Sequence, residues 1–478
     1  MSTLTEATIR RVIYPLWAAR DHPGLSSFLR EFEKTQFWPA ARIQELQWQR
    51  LRKMLRFAYE RSPYYQERFK QAGIHPQDIR TPESFLHVPI LTKDDIRQNQ
   101  VRLLARGIPV ESYVDNFTGG STGSPICFKV SKKRWASRKA ITHRHDFWTG
   151  WKIGEKRGEL WGHPEQRPFN TTWGRLRNAL LYRSVILNTF DVDQLNFSRF
   201  VDELRRQKVR HLIAYSRSLL MFANYIAKLR IELPLLESAI TTAECISPDE
   251  RAFIEQTLQC RTFDRYGCRE FSVIASECEA HAGLHLAAET LLVEFVVRGR
   301  WAQPGEVGEI FVTDLLNEAM PFIRYKVGDM GAPIEGQCSC GRGLPRMQMV
   351  AGRVTDFIHT PDDRWLSGVA INTYLISQMP GVRQAQLIQQ ECDHLHFRLV
   401  ESQGRSSIVD DFLRHQVPQM FGPRMKYTVE WVTKIHPEPS GKVRVTVSSC
   451  AARHGIANVL SGPLEVERSC DPVREEDR

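Results

Sequence analysis

Residues 118–125 read Thr-Gly-Gly-Ser-Thr-Gly-Ser-Pro, glycines interleaved with hydroxyls. Glycine tolerates positive φ and close approach to a ligand, so consecutive N–H groups can converge on one concavity. Hydroxyls add donors without bulk. Such a loop suits polyphosphate oxygens, with Thr118, Gly119, Gly120, Ser121, Thr122 and Gly123 as the contacts; a hydroxyl-rich surface turn has the same composition. Further on, Asp-Arg-Tyr-Gly-Cys-Arg-Glu-Phe (264–271) follows a strand-like Arg-Thr-Phe. The Glu270 carboxylate can hold magnesium on phosphates, and Tyr266 can stack on a base or line a pocket. A buried tyrosine at a strand end is the plainer alternative.

Asp329 follows Val327-Gly328 at the end of an expected strand. Its carboxylate can accept two hydrogen bonds from vicinal hydroxyls such as those of ribose, or it is an ordinary turn aspartate. Ala-Gly-Arg-Val-Thr-Asp-Phe (351–357) supplies Arg353, able to clamp phosphate or ribose, and Asp356, able to sit at a hinge. A salt-bridged linker turn reads the same way. Lys442, directly after Gly441, is either a solvated lysine or a mobile point charge that balances negative charge as a carboxylate is activated.

Cys278, His281 and His285, with Cys338 and Cys340, form a second constellation. Three thiolates and one imidazole make a closed tetrahedral set, the pattern of structural zinc. His285, at the start of a strand-like run, is the preferred imidazole over His281. Reduced, half-buried cysteines are the alternative.

These residues need elements to position them. Residues 1–100 read mostly as helix: Leu46, Leu51, Leu55 and Phe57 recur at helical spacing, Ser62-Pro63 interrupts, and Thr81 and Thr92 look like caps. The stretch from Ser131 reads as one long helix ending near Gly150. From 155 to 330 short apolar runs alternate with helical segments, the signature of an α/β architecture. Near residue 350 the texture changes to strand, strand, helix, strand, a small α+β domain. The reading is therefore a large α/β domain over 1–355, with a helical segment over 1–100, and a small mobile domain over 356–450. A loosely ordered tail follows over 451–478.

With 478 residues, 42% hydrophobic and 25% charged, the chain has core material for two or three domains. Sixty-five Lys and Arg against 55 Asp and Glu give +10, which suits anionic substrates. Residues 204–211, Leu-Arg-Arg-Gln-Lys-Val-Arg-His, are the densest basic run and read as a solvated helical face; no nucleic-acid motif accompanies them. Ten irregularly spaced cysteines make no disulfide framework, and no apolar window is long enough for a membrane span. The expectation is a soluble cytoplasmic protein with reduced thiols, with a homodimer as the default assembly.

Taken in order, the stretches MLRFAYERSPYYQERF, VPILTKDDIR, TGGSTGSP, TTAECISPDER, DRYGCREF, RYKVGD, CSCGRGLPRM, GRVTDF and SGKVR resemble the adenylate-forming superfamily. Within it, the chain is similar to the phenylacetate–CoA ligase family and its CapK-like group, found with polysaccharide biosynthesis. The resemblance implies a large adenylate-forming α/β domain and a small C-terminal α+β domain. It also implies ATP-dependent activation of a carboxylic acid to an acyl-adenylate, then transfer to coenzyme A. A hydroxyl or amine acceptor in polysaccharide biosynthesis is the alternative, and a non-catalytic nucleotide-binding scaffold a second.

The roles implied are specific. Thr118–Gly123 would wrap the ATP phosphates, Glu270 would hold Mg2+, and Asp329 would hold the ribose with Arg353 and Tyr266 beside the nucleotide. Asp356 would be the hinge, and Lys442 would contact the carboxylate and α-phosphate. Cys278, His285, Cys338 and Cys340 would hold Zn2+. Arg269 stands where the superfamily commonly has threonine against the α-phosphate. The segment after Asp356 lacks the usual Lys-x-x-Gly element, which leaves coenzyme A open as acceptor. Trp161, Tyr215 and Tyr266 are candidates for the acyl pocket, or core aromatics.

Overall fold

The computed structural model describes residues 4–117, 126–161, 171–188, 194–353, 357–362, 365–367, 371, 375–401, 407–436 and 444–450. The glycine loop 118–125, Asp356, Lys442 and the tail 451–478 lie outside the described residues.

Residues 4–103 are mostly helical, in keeping with their periodicity. Helix Ala40–Arg61 buries Ile43, Gln47, Leu51, Met54, Leu55 and Ala58, one face at steps of three and four. Pro63 stops it and opens helix Pro63–Gln71, where a missing N–H costs nothing. Thr81 and Thr92 each form a capping box, accepting from the backbone N–H three residues on. The Tyr65 hydroxyl donates to the Pro321 carbonyl (3.1 Å) and accepts from the Ile323 N–H (3.0 Å), so the helices are tied to the sheet beneath.

A short antiparallel pair comes first, β1 (Tyr113–Phe117) with β2 (Cys127–Ser131), flanking the glycine loop. The main sheet then draws on β3 (Arg157–Trp161), β4 (Ser184–Asn188), β5 (His211–Tyr215), β6 (Ser238–Thr242), β7 (Arg261–Cys268), β8 (Ser272–Glu277) and β9 (Leu284–Leu286). It continues through β10 (Leu291–Val297), β11 (Arg300–Trp301), β12 (Gly308–Asp314), β13 (Tyr325–Ile334) and β14 (Arg346–Arg353). Their order is β11-β10-β12-β13-β14-β9-β8-β7-β6-β5-β3-β4. Strands β4, β3, β5, β6 and β7 run parallel, and the others join antiparallel. All five residues of β6 are buried, as expected where helices cover both faces of a parallel sheet.

After β14 come a hairpin, β15 (Phe357–His359) with β16 (Trp365–Ser367), and a four-stranded sheet of order β19-β18-β17-β20. Its strands are β17 (Val382–Gln389), β18 (His394–Glu401), β19 (Lys426–Trp431) and β20 (Thr446–Ser448), packed with helix Ser407–Phe421. Leu387, Phe397, Leu399, Val409, Leu413 and Val417 belong to a hydrophobic core drawn entirely from residues beyond 357. A large α/β unit and a small C-terminal sheet unit are thus both present, in the expected order.

Three expectations change. Asp329 lies within β13, because Gly328 at φ +87° lets the strand continue through an irregularity. The basic run 204–211 is no single helical face: the helix stops at Gln207 and residues from His211 are strand, with His211 buried. Nor are all thiols reduced. Cys392, in the β17–β18 turn, and Cys450, after β20, are joined in a disulfide because β17 and β20 pair in parallel.

Candidate active site

Ligands of open α/β sheets bind at the carboxyl ends of parallel strands, and the chemically interesting residues gather at that edge. Strands β3 and β5 are neighbours, and their last residues, Trp161 and Tyr215, stack with ring centroids 4.3 Å apart. Two strands away, β7 turns into β8 through residues 269–271. A register shift at Tyr266/Gly267 tightens this hairpin. A Cβ at Gly267 would meet the Ser272 carbonyl oxygen at 2.4 Å, so only glycine fits.

Arg269 and Glu270 part company at the tip. Glu270 is buried, whereas Arg269 is exposed, and its charge acts on the Tyr215 phenol. The Tyr325 hydroxyl donates to Glu270 Oε1 at 2.7 Å, and the Arg138 guanidinium donates to the Glu270 carbonyl. Four residues along β13 from Tyr325, Asp329 Oδ2 accepts from the Tyr266 hydroxyl at 2.8 Å. Each carboxylate is therefore fixed by a tyrosine from the opposite side of the junction: Tyr325 holds Glu270, and Tyr266 holds Asp329.

Arg353 is the register partner of Asp329 across β13 and β14, so its backbone position joins the group. The structure thus assembles Tyr266, Glu270, Asp329 and the Arg353 backbone. The phosphate-loop residues Thr118, Gly119, Gly120, Ser121, Thr122 and Gly123, like Asp356 and Lys442, fall outside the described residues. Tyr266 is packed into the main hydrophobic core with its hydroxyl committed to Asp329.

Sequence reasoning missed the supporting cations and Tyr325. Arg134 and Arg138, one turn apart on helix Lys132–Trp148, converge on Asp314: Arg134 Nε at 2.7 Å and Arg138 at 3.7 Å. Burial, then the neighbouring Arg134 charge, push Arg138 down to about 10. The i, i+4 spacing was visible, but nothing local says that face is buried. Tyr325 was within reach, since it precedes Asp329 by four residues and so shares its face in an extended strand.

The cysteine–histidine set also assembles. The donor atoms of Cys278, His285, Cys338 and Cys340 all lie within 4.8 Å of one another. Cys278 and Cys338 sulfurs are 3.7 Å apart, and His285 Nε2 is 3.4 Å from Cys340. His285 Nδ1 faces the Leu344 carbonyl at 3.2 Å, which fixes the tautomer with Nε2 unprotonated and aimed at the sulfurs. Burial pushes the imidazole down to about 4, keeping it neutral. His281 is not part of this group and instead faces Glu277 Oε2 at 3.3 Å and Arg251.

Residues 358–449 match the CapK C-terminal domain family. Over 414 residues the chain is 23% identical to Protein CapK of Staphylococcus aureus, spanning 85% of this chain and 89% of that protein. It is 26% identical over 338 residues to the phenylacetate-coenzyme A ligase of Escherichia coli K12, covering 66% and 72%. The chain is thus similar to CapK along most of its length and to the phenylacetate–CoA ligases over about two thirds of it.

The same fold occurs in a solved ligase. The crystal structure of 2-hydroxyisobutyryl-CoA ligase, solved in the postadenylation state with 2-HIB-AMP, superposes with a TM-score of 0.69 at 19% identity. The match covers 90% of this chain and 94% of that one. No helix among the described residues of the CapK-like chain is long and apolar enough to cross a membrane.

Proposed function

We propose that this protein activates a carboxylic acid with ATP, forming an acyl-adenylate and pyrophosphate, and then passes the acyl group to the thiol of coenzyme A. The observation that carries the reading is the crossed pair of tyrosine–carboxylate bonds, which holds Glu270 and Asp329 in a preorganised arrangement at the carboxyl edge of the sheet. Adenylation needs positioning and charge stabilisation more than covalent catalysis, and buried, hydrogen-bonded carboxylates supply positioning.

Within this reading Asp329 accepts the ribose hydroxyls, and its bond from Tyr266 stops the carboxylate rotating away. Glu270 is the residue for magnesium, which when bound neutralises charge on the phosphates. Thr118–Gly123 wraps the β- and γ-phosphates, and Arg353 lies beside the nucleotide. Lys442 contacts the attacking carboxylate and the α-phosphate, and rotation at Asp356 withdraws it before transfer. Trp161 and Tyr215 offer an aromatic wall for the acyl group, with Arg269 at its mouth in place of a neutral hydroxyl. The donor set Cys278, His285, Cys338 and Cys340 suits a structural zinc, because three sulfurs and one imidazole close a tetrahedron with no position left for water.

A second reading keeps adenylation and changes the acceptor to a hydroxyl or amine, as in polysaccharide biosynthesis. It is favoured by the match of residues 358–449 to the C-terminal domain of CapK, and by the wider alignment with Protein CapK than with the phenylacetate–CoA ligases. Pyrophosphate exchange against a panel of aryl and short-chain acids tests adenylation. Repeating the turnover assay with and without coenzyme A separates the acceptors. Lys442→Ala is expected to lower adenylation far more than thioester formation from preformed adenylate; equal loss in both removes the proposed lysine role. ATP binding with no pyrophosphate exchange against any acid would leave the non-catalytic nucleotide-binding scaffold.

A further inference from the structure

We propose that a cavity on the amino-terminal edge of the parallel sheet, lined by Lys156, Arg183, Lys208 and Arg210, is a second binding site, for a small soluble phosphate-bearing anion. It is independent of the adenylation reading.

Lys156, Arg183 and Arg210 are the residues immediately before β3, β4 and β5. Arg157 is in register with both Ser184 and His211, so the three cations form one row across adjacent strands, spaced by roughly 4.8 Å per strand. Arg206 and Lys208 reach the same cavity from the end of helix Gln194–Gln207. This is the opposite edge from Trp161 and Tyr215, which end β3 and β5. The cavity holds about 360 Å³, within the range of small-molecule sites.

Its charges are unbalanced. Five cations line it, against two carboxylates, Glu6 and Glu155. Arg210 pairs with Glu155 (3.0 Å) and with Glu237, while Arg206 pairs with Glu203 (2.7 Å). Among the described residues, no salt bridge joins Lys156, Arg183 or Lys208 to a carboxylate, although the Glu6 charge acts on Lys156 and Arg183 and the Glu203 charge on Lys156. Arg183 Nε is buried without a hydrogen-bond partner. Burial lowers the Lys156 ammonium, and the neighbouring Arg183 and Arg206 charges lower it further.

Arg183 and Lys208 also occupy left-handed backbone at φ +53° and +52°, positions after a helical turn where glycine is the usual choice. Long cations stand there instead, at a backbone cost. An anion with two or more charges accounts for the charge arrangement: it relieves the mutual repulsion and gives Arg183 Nε an acceptor. Among the described residues no aromatic side chain lines the cavity, so the charges that line it recognise the phosphate.

The basic run 204–211 is explained as well. It delivers Arg206, Lys208 and Arg210 to one concavity across the helix-to-strand turn.

The test reads Lys156 directly in the full-length protein. Its amine is labelled with an acylating reagent and quantified by mass spectrometry, with exposed Lys53 as internal reference. Inorganic pyrophosphate at several times its dissociation constant is expected to slow Lys156 labelling about fivefold and leave Lys53 unchanged. Arg183→Met and, separately, Lys208→Met are expected to remove most of that protection. Because the footprint is local, pyrophosphate bound at the adenylation site does not register. Absence of protection overturns the proposal, as does equal protection in both variants. Protection by phosphatidylglycerol vesicles but not by pyrophosphate also overturns it, since the cavity then recognises a membrane surface.

Discussion

The Tyr266 hydroxyl donates to the Asp329 carboxylate at 2.8 Å, linking the β7–β8 hairpin to the middle of β13. The bond leaves the aspartate in one orientation, yet the tyrosine belongs to the hydrophobic core and has no freedom to move with a ligand. Tyr266→Phe keeps the ring and deletes the bond. The expected outcome is a KM for ATP raised roughly tenfold with kcat little changed, because a hydrogen bond to a charged group is worth about 1.5–3 kcal/mol. Steady-state pyrophosphate exchange at varied ATP measures it.

Gly267→Ala should act on the same hairpin through the backbone. The added methyl would sit 2.4 Å from the Ser272 carbonyl, which cannot move without unpairing β7 and β8. Glu270 lies three residues on and would be displaced. Adenylation is expected to fall at least about tenfold, since angstrom-scale misplacement is costly, while ATP still binds. Activity together with ATP binding by calorimetry distinguishes this from global unfolding.

For the cysteine–histidine cluster, the purified protein is expected to carry about one zinc per chain by elemental mass spectrometry. Cys338→Ser and His285→Ala should each lose the metal and lower Tm, because the donor atoms otherwise crowd one another without a bridging charge. His281→Ala should retain it, as that ring faces Glu277 and Arg251. Zinc retained in His285→Ala and lost in His281→Ala would reverse the ligand assignment.

Asp264 gives a pH signature. Burial, and then the nearby Glu277 charge, raise its carboxyl to about 6. The folded state therefore binds a proton more tightly than the unfolded chain does. This group's contribution falls as pH climbs from about 4 through 6 and is flat above. Asp264→Asn keeps an acceptor for the Arg265 N–H, now 2.9 Å from Asp264 Oδ1. The variant is expected to be about 1 kcal/mol more stable at pH 7 and to show a flatter slope between pH 4 and 6, a magnitude reduced from the full shift because the amide is itself buried in place of the carboxyl. Urea unfolding at pH 4.5, 5.5 and 7 checks both.

Much of this protein is written locally in its sequence. The steps of three and four in Ala40–Arg61, the capping threonines at 81 and 92, and the strand–strand–helix–strand order beyond residue 380 follow from periodicity and backbone preference. The residue types at 266, 270 and 329 were legible because side-chain chemistry does not depend on context. Their pairing was not. Tyr325 on Glu270, Tyr266 on Asp329 and Arg134 on Asp314 join residues 55, 63 and 180 positions apart. Only the register of β7, β8 and β13 brings such residues within hydrogen-bonding reach. The same holds for the basic run at 204–211: its charge is composition, but strand order alone sets it beside Lys156 and Arg183 in a shared cavity. A sequence states which groups exist; burial and strand register decide which of them meet, because hydrogen bonds and ion pairs act over a few ångströms and the chain between them spans many.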